Sequence, residues 1–472
     1  MTKTDNIKNR IEKVYNAQLS NRAYLSVSER IKYLKNLESW ILDNKKIIIE
    51  AHQSDLHKPK SEIELAEIWY VLSEIKLSLK KIKRWAKDKK VGTSTLAFFT
   101  AKSWIHYEPK GVVLIISPWN FPFNLTLGPL VSALSAGNRV IIKPSEMAPK
   151  VSSLIEKMIS ELFDINQVSV LEGDQTMAKA LLEYNFDHIF FTGSPFIGSV
   201  VMKAASKYLT PVTLELGGKS PVIIDKTADI DMSVNKIAWG KCVNLGQSCI
   251  APDYILIHKS LEEDFIQRLS NKWDIIYGKT YHEKELSQDL ARIVNTKHWD
   301  RLNDMLENAL SKGAKVVYGG KKNRENKFIE PTLLVDINFD MEIIKEEIFG
   351  PILPVLTFDT LDEALQIIAK KSNPLALYIF SNSKKNIKKV IKKTSSGGVV
   401  INEVKSHFSN LNLPFGGIGK SGMGRSHGYE GFLAFSNIRA MQENGRFSLI
   451  KLTFPPYTEW RIKLINLITK YF

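Results

Sequence analysis

A cysteine thiolate is the most reactive side-chain nucleophile near neutral pH, and this sequence holds two cysteines, Cys242 and Cys249. Cys249 stands in GQSCIAP, at the end of a helical stretch and directly before a strand signal. Cys242 lies within an apolar helix segment and reads as a packed structural thiol. The pair lacks the spacing of zinc ligands, and no metal site is expected. Glu215, in LELGGKSP, is a carboxylate among Pro211, Leu214 and Leu216. Burial there raises a carboxylate's pKa and suits it to act as a base near neutrality, although a paired structural carboxylate would leave the same local pattern. Asn120, in SPWNFP, falls on the break between a predicted strand and a predicted helix. A fixed side-chain amide there can donate to a developing oxyanion, worth about 3 kcal/mol when well placed, or can cap the helix. A thiol, a base and an amide donor are the parts of covalent catalysis at a carbonyl.

Two further segments suit a nucleotide. FTGSPFIG puts Gly193, Ser194 and Gly198 between a strand and a helix, where free backbone N–H groups attract phosphate. KPSE follows a strand, so Lys143 and Glu146 project from the carboxyl edge at which α/β sheets bind nucleotides. A carboxylate there accepts hydrogen bonds from ribose hydroxyls and disfavours a 2′-phosphate. The GxGxxG fingerprint is absent, and a generic strand-to-helix turn also fits FTGS.

The elements that must position these residues alternate. Short β-rich runs at 111–117, 139–145, 167–173, 187–194 and 210–218 are separated by helical stretches such as 149–163 and 195–209. Near-continuous apolar strands joined by crossover helices make a doubly wound parallel sheet. A second series begins at SPVIID (220–225), passes through a helical 231–249, and continues through DYILIHK, KFIEPTLLVD, ILPVLTF, ALYIFS and GGVVIN. The Gly-rich 412–431 follows it and belongs at a domain junction. Residues 3–90 read as helical, and 460–472 places Trp460, Leu464, Leu467, Ile468 and Tyr471 on one stripe.

The 472 residues, 44% of them hydrophobic, suffice for about three packed units and exclude a mini-protein or a disordered chain. Net charge is +15, but the lysines are spread over helix faces. One example is 384–393, where Ile387, Val390 and Ile391 form an apolar stripe; no nucleic-acid motif accompanies the charge. The uncharged stretch from Gly111 to Asn138 is interrupted by Pro118, Pro122 and Pro129, and reads as a buried strand followed by a buried helix rather than a membrane span. Two cysteines and no apolar leader fit the cytoplasm.

Together, SPWNFP, KPSE, FTGS, LELGGKSP, GQSC, EEIFGPILP (346–354) and PFGGIGKSGMGR (414–425) resemble the aldehyde dehydrogenase superfamily in order and separation, from about Trp104 to Ser436. CIAPDY, SGMGRSHGYEGF and a tail beginning FPPY are similar to its class 3 branch of fatty-aldehyde and coniferyl-aldehyde dehydrogenases. The resemblance implies an α/β fold with a Rossmann-type cofactor domain over 1–215, a second α/β catalytic domain over 216–415, a return segment over 416–446 and an amphipathic tail over 447–472. Residues around 94–110 and 435–446 would form an oligomerisation hairpin pairing strands across a homodimer.

The roles it implies are Cys249 as nucleophile, Glu215 as general base, and Asn120 with the backbone N–H of Cys249 as oxyanion hole. Ser117, Pro118, Trp119, Lys143, Ser145, Glu146, Gly193, Ser194, Leu216, Gly217, Glu347 and Phe349 would bind NAD, with NADP possible. Lys143 and Glu146 would hold the adenosine ribose, Gly193 and Ser194 the pyrophosphate, Glu347 the nicotinamide ribose, and Phe349 would pack near the nicotinamide. The reaction is oxidation of an aldehyde to a carboxylic acid through a thiohemiacetal and a thioester. Aromatic residues near the motifs, including Trp119 and Trp239, favour medium or long aliphatic and aromatic substrates. A coenzyme A-acylating enzyme of the same fold is the nearest alternative, and Glu215 argues against it. A silent scaffold or peripheral-membrane protein using the apolar tail is a second. A cysteine hydrolase would need a histidine against Cys249, whereas His188 and His427 fall in a cofactor-side strand and in the Gly-rich loop.

Overall fold

A computed structural model describes residues 3–20, 25–92, 101–445, 451 and 454–471. Residues 94–100 and 446 of the expected hairpin and 447–450, 452, 453 and 472 of the tail lie outside the described residues.

Two parallel sheets organise the chain. The first has six strands in the order Gly422–Met423, Val212–Leu216, His188–Gly193, Val112–Ile116, Arg139–Lys143 and Val168–Val170. All but Gly422–Met423 run parallel. Val112–Ile116 and Arg139–Lys143 are buried at every position, as their unbroken apolar runs require when helices cover both faces. The uncharged 111–138 stretch is indeed such a strand followed by a buried helix, Asn124–Ala136, with Pro129 inside it. The second sheet has seven strands in the order Lys315–Tyr318, Thr332–Val335, Ile352–Phe358, Tyr254–His258, Pro221–Ile224, Ala376–Phe380 and Gly398–Ile401. Only its edge strand Lys315–Tyr318 is antiparallel.

The return segment comes back to the first sheet. Gly422 pairs with Glu215 across the antiparallel edge. Its φ is +148°, and a Cβ there would lie 2.4 Å from the Leu214 carbonyl, so only glycine lets the return strand close on the carboxylate's strand. A third, antiparallel sheet joins Lys89–Val91, Lys102–Pro109 and Ser436–Glu443.

Three local expectations need correction. The helical 3–90 region is several helices, including Val27–Asp43, Lys45–Leu56 and Tyr70–Trp85, with Lys89–Val91 extended. Within it Ile63–Trp69 is a π-helix, a wide turn that side-chain periodicity does not reveal. The helical stretch expected over 231–249 is Ile230–Cys242, so Cys249 stands in a loop beyond it. Ile391 is 49% exposed, leaving Val390 buried and Ile387 partly buried from the expected stripe. The tail helix Glu459–Tyr471 buries none of its residues, and its Trp460, Leu467 and Tyr471 are exposed. Among the described residues no helix is long and apolar enough to cross a membrane, and no cluster of potential metal ligands occurs.

Candidate active site

The loop carrying Cys249 is built by a run of left-handed backbone. After Cys242, the residues Asn244, Leu245 and Gly246 have φ of 52°, 50° and 75°. A Cβ on Gly246 would meet the Gly350 carbonyl at 2.3 Å, so the loop sits directly against the EEIFGP segment. Non-glycine residues in this conformation are strained and persist only where surrounding contacts hold them. The Asn244 N–H donates to Glu62 Oε2 at 2.8 Å, and Asn244 Nδ2 donates to the Asn120 carbonyl at 2.8 Å. Gln247 is held by the Val294 N–H and donates to the Arg292 carbonyl.

Asn120 is tied to the same loop. Its Nδ2 donates to the Gln247 carbonyl at 3.1 Å, and its own carbonyl also accepts from Lys58 Nζ at 2.9 Å. An amide nitrogen carries two hydrogens, so one remains for another acceptor. Asn120 is buried and does not cap the following helix, whose first-turn N–H at Asn124 is satisfied by Glu67 Oε2. Lys58 and Glu67, paired at 2.6 Å in full burial, thus brace the asparagine from the π-helix. No motif marks this pair, and sequence reading missed it.

Glu215 and Cys249 line one cavity, with Phe408, Phe415, Leu375 and Tyr70 among its walls. Glu215 Oε1 accepts from Ser426 Oγ at 3.0 Å, and Oε2 has no partner. Burial pushes this carboxyl up to about 8 against the opposing effects of Ser426 and Arg425. The Cys249 thiol is pushed up to about 12 by burial, then by Glu347 and Glu215. Cys242 is wholly buried in the core, as its apolar setting suggested.

His427 lines the same cavity, contrary to its expected separation from the thiol. Its ring stacks on Phe415 at 4.8 Å, and burial drives its pKa down to about 3, so it stays neutral. No hydrogen bond joins it to Cys249, which leaves the hydrolase reading without a base. His188 sits between Lys110 and Thr213 in the first sheet, away from the thiol. Trp239 is half exposed and does not line the cavity shared by Cys249 and Glu215.

The nucleotide-side residues gather along the carboxyl edge of the first sheet. Lys143 Nζ bonds Glu146 Oε2 at 2.5 Å, with Glu146 exposed. The Ser117 N–H donates to the Lys143 carbonyl at 3.1 Å, and Pro118 follows half-buried. Ser145 Oγ accepts from the Met147 N–H at 3.2 Å. Ser194 caps the helix Pro195–Ser206, accepting from the Ile197 N–H, next to Gly193 at the strand end. Gly198 lies against Leu216, where a Cβ would meet Leu216 Cδ2 at 2.6 Å. Trp119 packs edge-on against Phe349 at 5.5 Å between ring centroids.

Glu347 lies on Gly217, where a Cβ would fall 2.0 Å from its Oε2. Its Oε1 is buried without a partner, and burial with the nearby Asp253 pushes the group up to about 8. An orphaned carboxylate oxygen beside bare backbone fits a ligand hydroxyl, and a strand-edge Lys143–Glu146 pair with its carboxylate exposed and a helix N-terminus at Ser194 fit a ribose and a pyrophosphate, so these residues suit a dinucleotide. The loop carrying Glu347 is fixed by residues that sequence reading did not single out. Asp253 Oδ2 accepts from the Ile348 N–H at 3.0 Å, Lys219 pairs with Asp253 and donates to the Ile343 and Glu346 carbonyls, and Arg301 donates to the Ile348 carbonyl at 2.7 Å. Lys219 and Asp253 do lie inside LELGGKSP and CIAPDY, so their signal was present in the motifs.

Comparison with known proteins agrees with this geometry. The model of the aldehyde dehydrogenase family matches residues 2–441. The chain is 45% identical over 414 residues to 4,4'-diaponeurosporen-aldehyde dehydrogenase of Staphylococcus aureus, covering 88% of this chain and 89% of the relative. It is 43% identical over 438 residues to aldehyde dehydrogenase family 3 member H1 of Arabidopsis thaliana, covering 93% and 90%. A solved structure of the substrate-bound state of Staphylococcus aureus AldH superposes with a TM-score of 0.92 at 42% identity, covering 97% of this chain and 99% of that one. The chain therefore belongs to the aldehyde dehydrogenase family, with class 3 relatives, and is an oxidoreductase acting on aldehydes.

Proposed function

We propose that this enzyme oxidises medium or long aliphatic and aromatic aldehydes to carboxylic acids, with Cys249 as nucleophile and Glu215 as general base. The observation that carries this reading is the single cavity lined by both residues, on whose thiol-bearing loop the Asn120 amide is anchored. The Cys249 sulfur adds to the carbonyl carbon. The resulting oxyanion is held by the second Asn120 N–H and the Cys249 backbone N–H. NAD, or NADP, supplies the hydride acceptor when bound, cradled by Ser117–Trp119, Lys143, Ser145, Glu146, Gly193, Ser194, Leu216, Gly217, Glu347 and Phe349. Oxidation leaves a thioester on Cys249, and Glu215 Oε2, free of partners, takes the proton of the water that hydrolyses it.

Apolar aromatic walls at Phe408, Phe415 and Tyr70 support the substrate preference. Acyl transfer to coenzyme A needs no water-activating carboxylate, so acid formation from aldehyde and NAD should proceed without it. Strict dependence on coenzyme A would replace hydrolysis with acylation. Asn120→Ala is expected to lower kcat by about 10²–10³-fold with KM little changed, from loss of one oxyanion donor. Steady-state kinetics check it. Glu347→Gln is expected to raise KM for the dinucleotide, since the orphaned oxygen no longer presents a carboxylate to a ribose; titration of KM for NAD against KM for aldehyde separates the two sites.

The two sheets support a division into cofactor and catalytic units, with the return segment shared between them. The strand Ser436–Glu443 pairs on one side only among the described residues, which supports a homodimer built across that edge. Light scattering of the purified protein tests the dimer.

A further inference from the structure

The return segment grips Glu215 twice. Gly422 pairs with its backbone, and Ser426 Oγ, four residues on, donates to its Oε1 at 3.0 Å, both side chains being buried. The same hydroxyl stands 3.3 Å from the Phe415 carbonyl. A hydroxyl has one hydrogen, so it serves one of these acceptors at a time, and an ionised carboxylate holds that hydrogen more strongly than a neutral carbonyl. When Glu215 carries a proton, the hydroxyl can turn toward Phe415 with only its hydrogen moving. The serine therefore suits both charge states of the base.

The turn that carries Ser426 is fixed from outside the segment. Its backbone exchanges two hydrogen bonds with Phe415, the Ser426 N–H donating at 2.7 Å and the Ser426 carbonyl accepting at 3.2 Å. The next two residues are left-handed, His427 at φ +73° and Gly428 at φ +48°, and a Cβ on Gly428 would lie 2.2 Å from the Leu411 carbonyl. A non-glycine residue such as His427 keeps that conformation only where its surroundings hold it. Glu74, on the helix Tyr70–Trp85, does so by accepting from the Gly428 N–H at 3.2 Å, and the Tyr70 hydroxyl bonds Glu74 in turn. The titratable groups that share a cavity with Glu215 are Cys249, Tyr70, Glu74 and His427, and none of them bonds its carboxyl. Arg425 is the cation beside it, and its Nη1 is engaged by the Gly417 and Gly424 carbonyls. Ser426 is thus the side chain that holds the carboxyl.

We propose that Ser426 is the positioning residue of the general base: its hydroxyl fixes Oε1 of Glu215, so that Oε2 alone faces the hydrolytic water. This rests on Glu215 being the base. In deacylation a water O–H bond breaks and the oxygen bonds the thioester carbon. The C–S bond then breaks to release the carboxylic acid. The water's proton stands on Oε2 until it passes to the freed Cys249 thiolate, which restores both groups.

The test compares Ser426→Ala and Ser426→Thr with the unaltered enzyme and with Glu215→Gln, and places Ser426→Ala in the Glu215→Gln background as well. Decay of the acyl adduct on Cys249 is followed by rapid quench and mass mapping from pH 6 to 10, with the burst of NADH measured in parallel. A hydrogen bond donated to a carboxylate favours its charged form, so losing it raises the carboxyl further. In Ser426→Ala the rising limb of acyl decay should move up by about one pH unit, which slows decay at pH 7 about tenfold. The burst rate and kcat/KM for aldehyde, which report the steps up to acylation, should stay as in the unaltered enzyme. Ser426→Thr keeps the hydroxyl and should recover most of the loss. In the Glu215→Gln background Ser426→Ala should add nothing. An unmoved limb in Ser426→Ala overturns the proposal. So does an equal loss of burst rate, which marks a damaged cavity, or a full further loss in the Glu215→Gln background, which means the serine acts apart from the carboxyl. If Glu215→Gln itself keeps normal acyl decay, the general-base reading fails instead, and that outcome is distinct from the others.

Discussion

Cys249→Ala is expected to abolish aldehyde oxidation, lowering kcat by roughly 10⁴-fold or more, because the covalent route disappears and nothing beside it substitutes. The other thiol, Cys242, is wholly buried in the core, and the imidazole that lines the cavity, His427, stays neutral and stacked on Phe415. Binding should survive, because the dinucleotide-side residues lie on separate elements. Cofactor fluorescence titration should therefore give a Kd close to that of the unaltered enzyme. Incubation with aldehyde and cofactor, followed by rapid acid quench and mass mapping, should show an acyl adduct at position 249 in the unaltered enzyme and none in the variant. Oxidation persisting in Cys249→Ala would remove the thiol from the reaction.

The second large effect belongs to Glu215→Gln. The amide keeps the size of the side chain and can still accept from Ser426, but it cannot take a proton from water. A rapid burst of NADH should therefore persist while steady-state turnover falls about 10²–10⁴-fold, the usual contribution of a general base. Acylation and deacylation are separated by stopped flow, and a burst lost together with turnover would place Glu215 in the first half-reaction instead.

The pH dependence follows from the same carboxyl. Burial raises Glu215 to about 8, so the base is mostly protonated at pH 7, and deacylation should quicken as pH rises through about 8. That limb should vanish in Glu215→Gln. Stability moves the opposite way. A carboxyl whose folded-state pKa lies above its unfolded value binds its proton more tightly when folded, so its contribution is fully present below about 4.5 and is lost as pH rises through about 8. Glu215→Gln should therefore melt higher than the unaltered enzyme at pH 8.5, with the gap closing toward pH 5. Thermal scans at both pH values read this directly, and activity and stability are expected to part company at one residue.

Much of the site was legible because its parts lie in short segments that each join a strand to a turn. SPWNFP, KPSE, FTGS and LELGGKSP follow or end strands of one parallel sheet, and such a sheet collects the carboxyl ends of its strands on one edge. The apolar runs at 111–117 and 139–145 could hardly be anything but buried strands, and they are. Other features had no such signal. A helical pattern over 231–249 cannot announce that Asn244 and Leu245 turn left-handed, because that conformation is stabilised by Glu62 and Asn120 from distant segments. The Lys58–Glu67 brace beneath Asn120 depends on a π-turn that leaves hydrophobic periodicity almost intact. His427 read as part of a flexible Gly-rich loop, yet aromatic packing with Phe408 and Phe415 carries it to the cavity.

The residue types made a thiol, a base, an amide donor and a nucleotide edge candidates, because those chemistries depend on local composition and on where strands end, and the order of the motifs assigned their roles by resemblance. Only the folded chain could decide which lone carboxyl oxygens, at Glu215 and Glu347, would be buried without hydrogen-bond partners. Those are properties of burial and of contacts between residues far apart in sequence. A one-dimensional pattern carries the identity of a titratable group, but its charge state is set by the solvent and the neighbours that tertiary packing removes or brings.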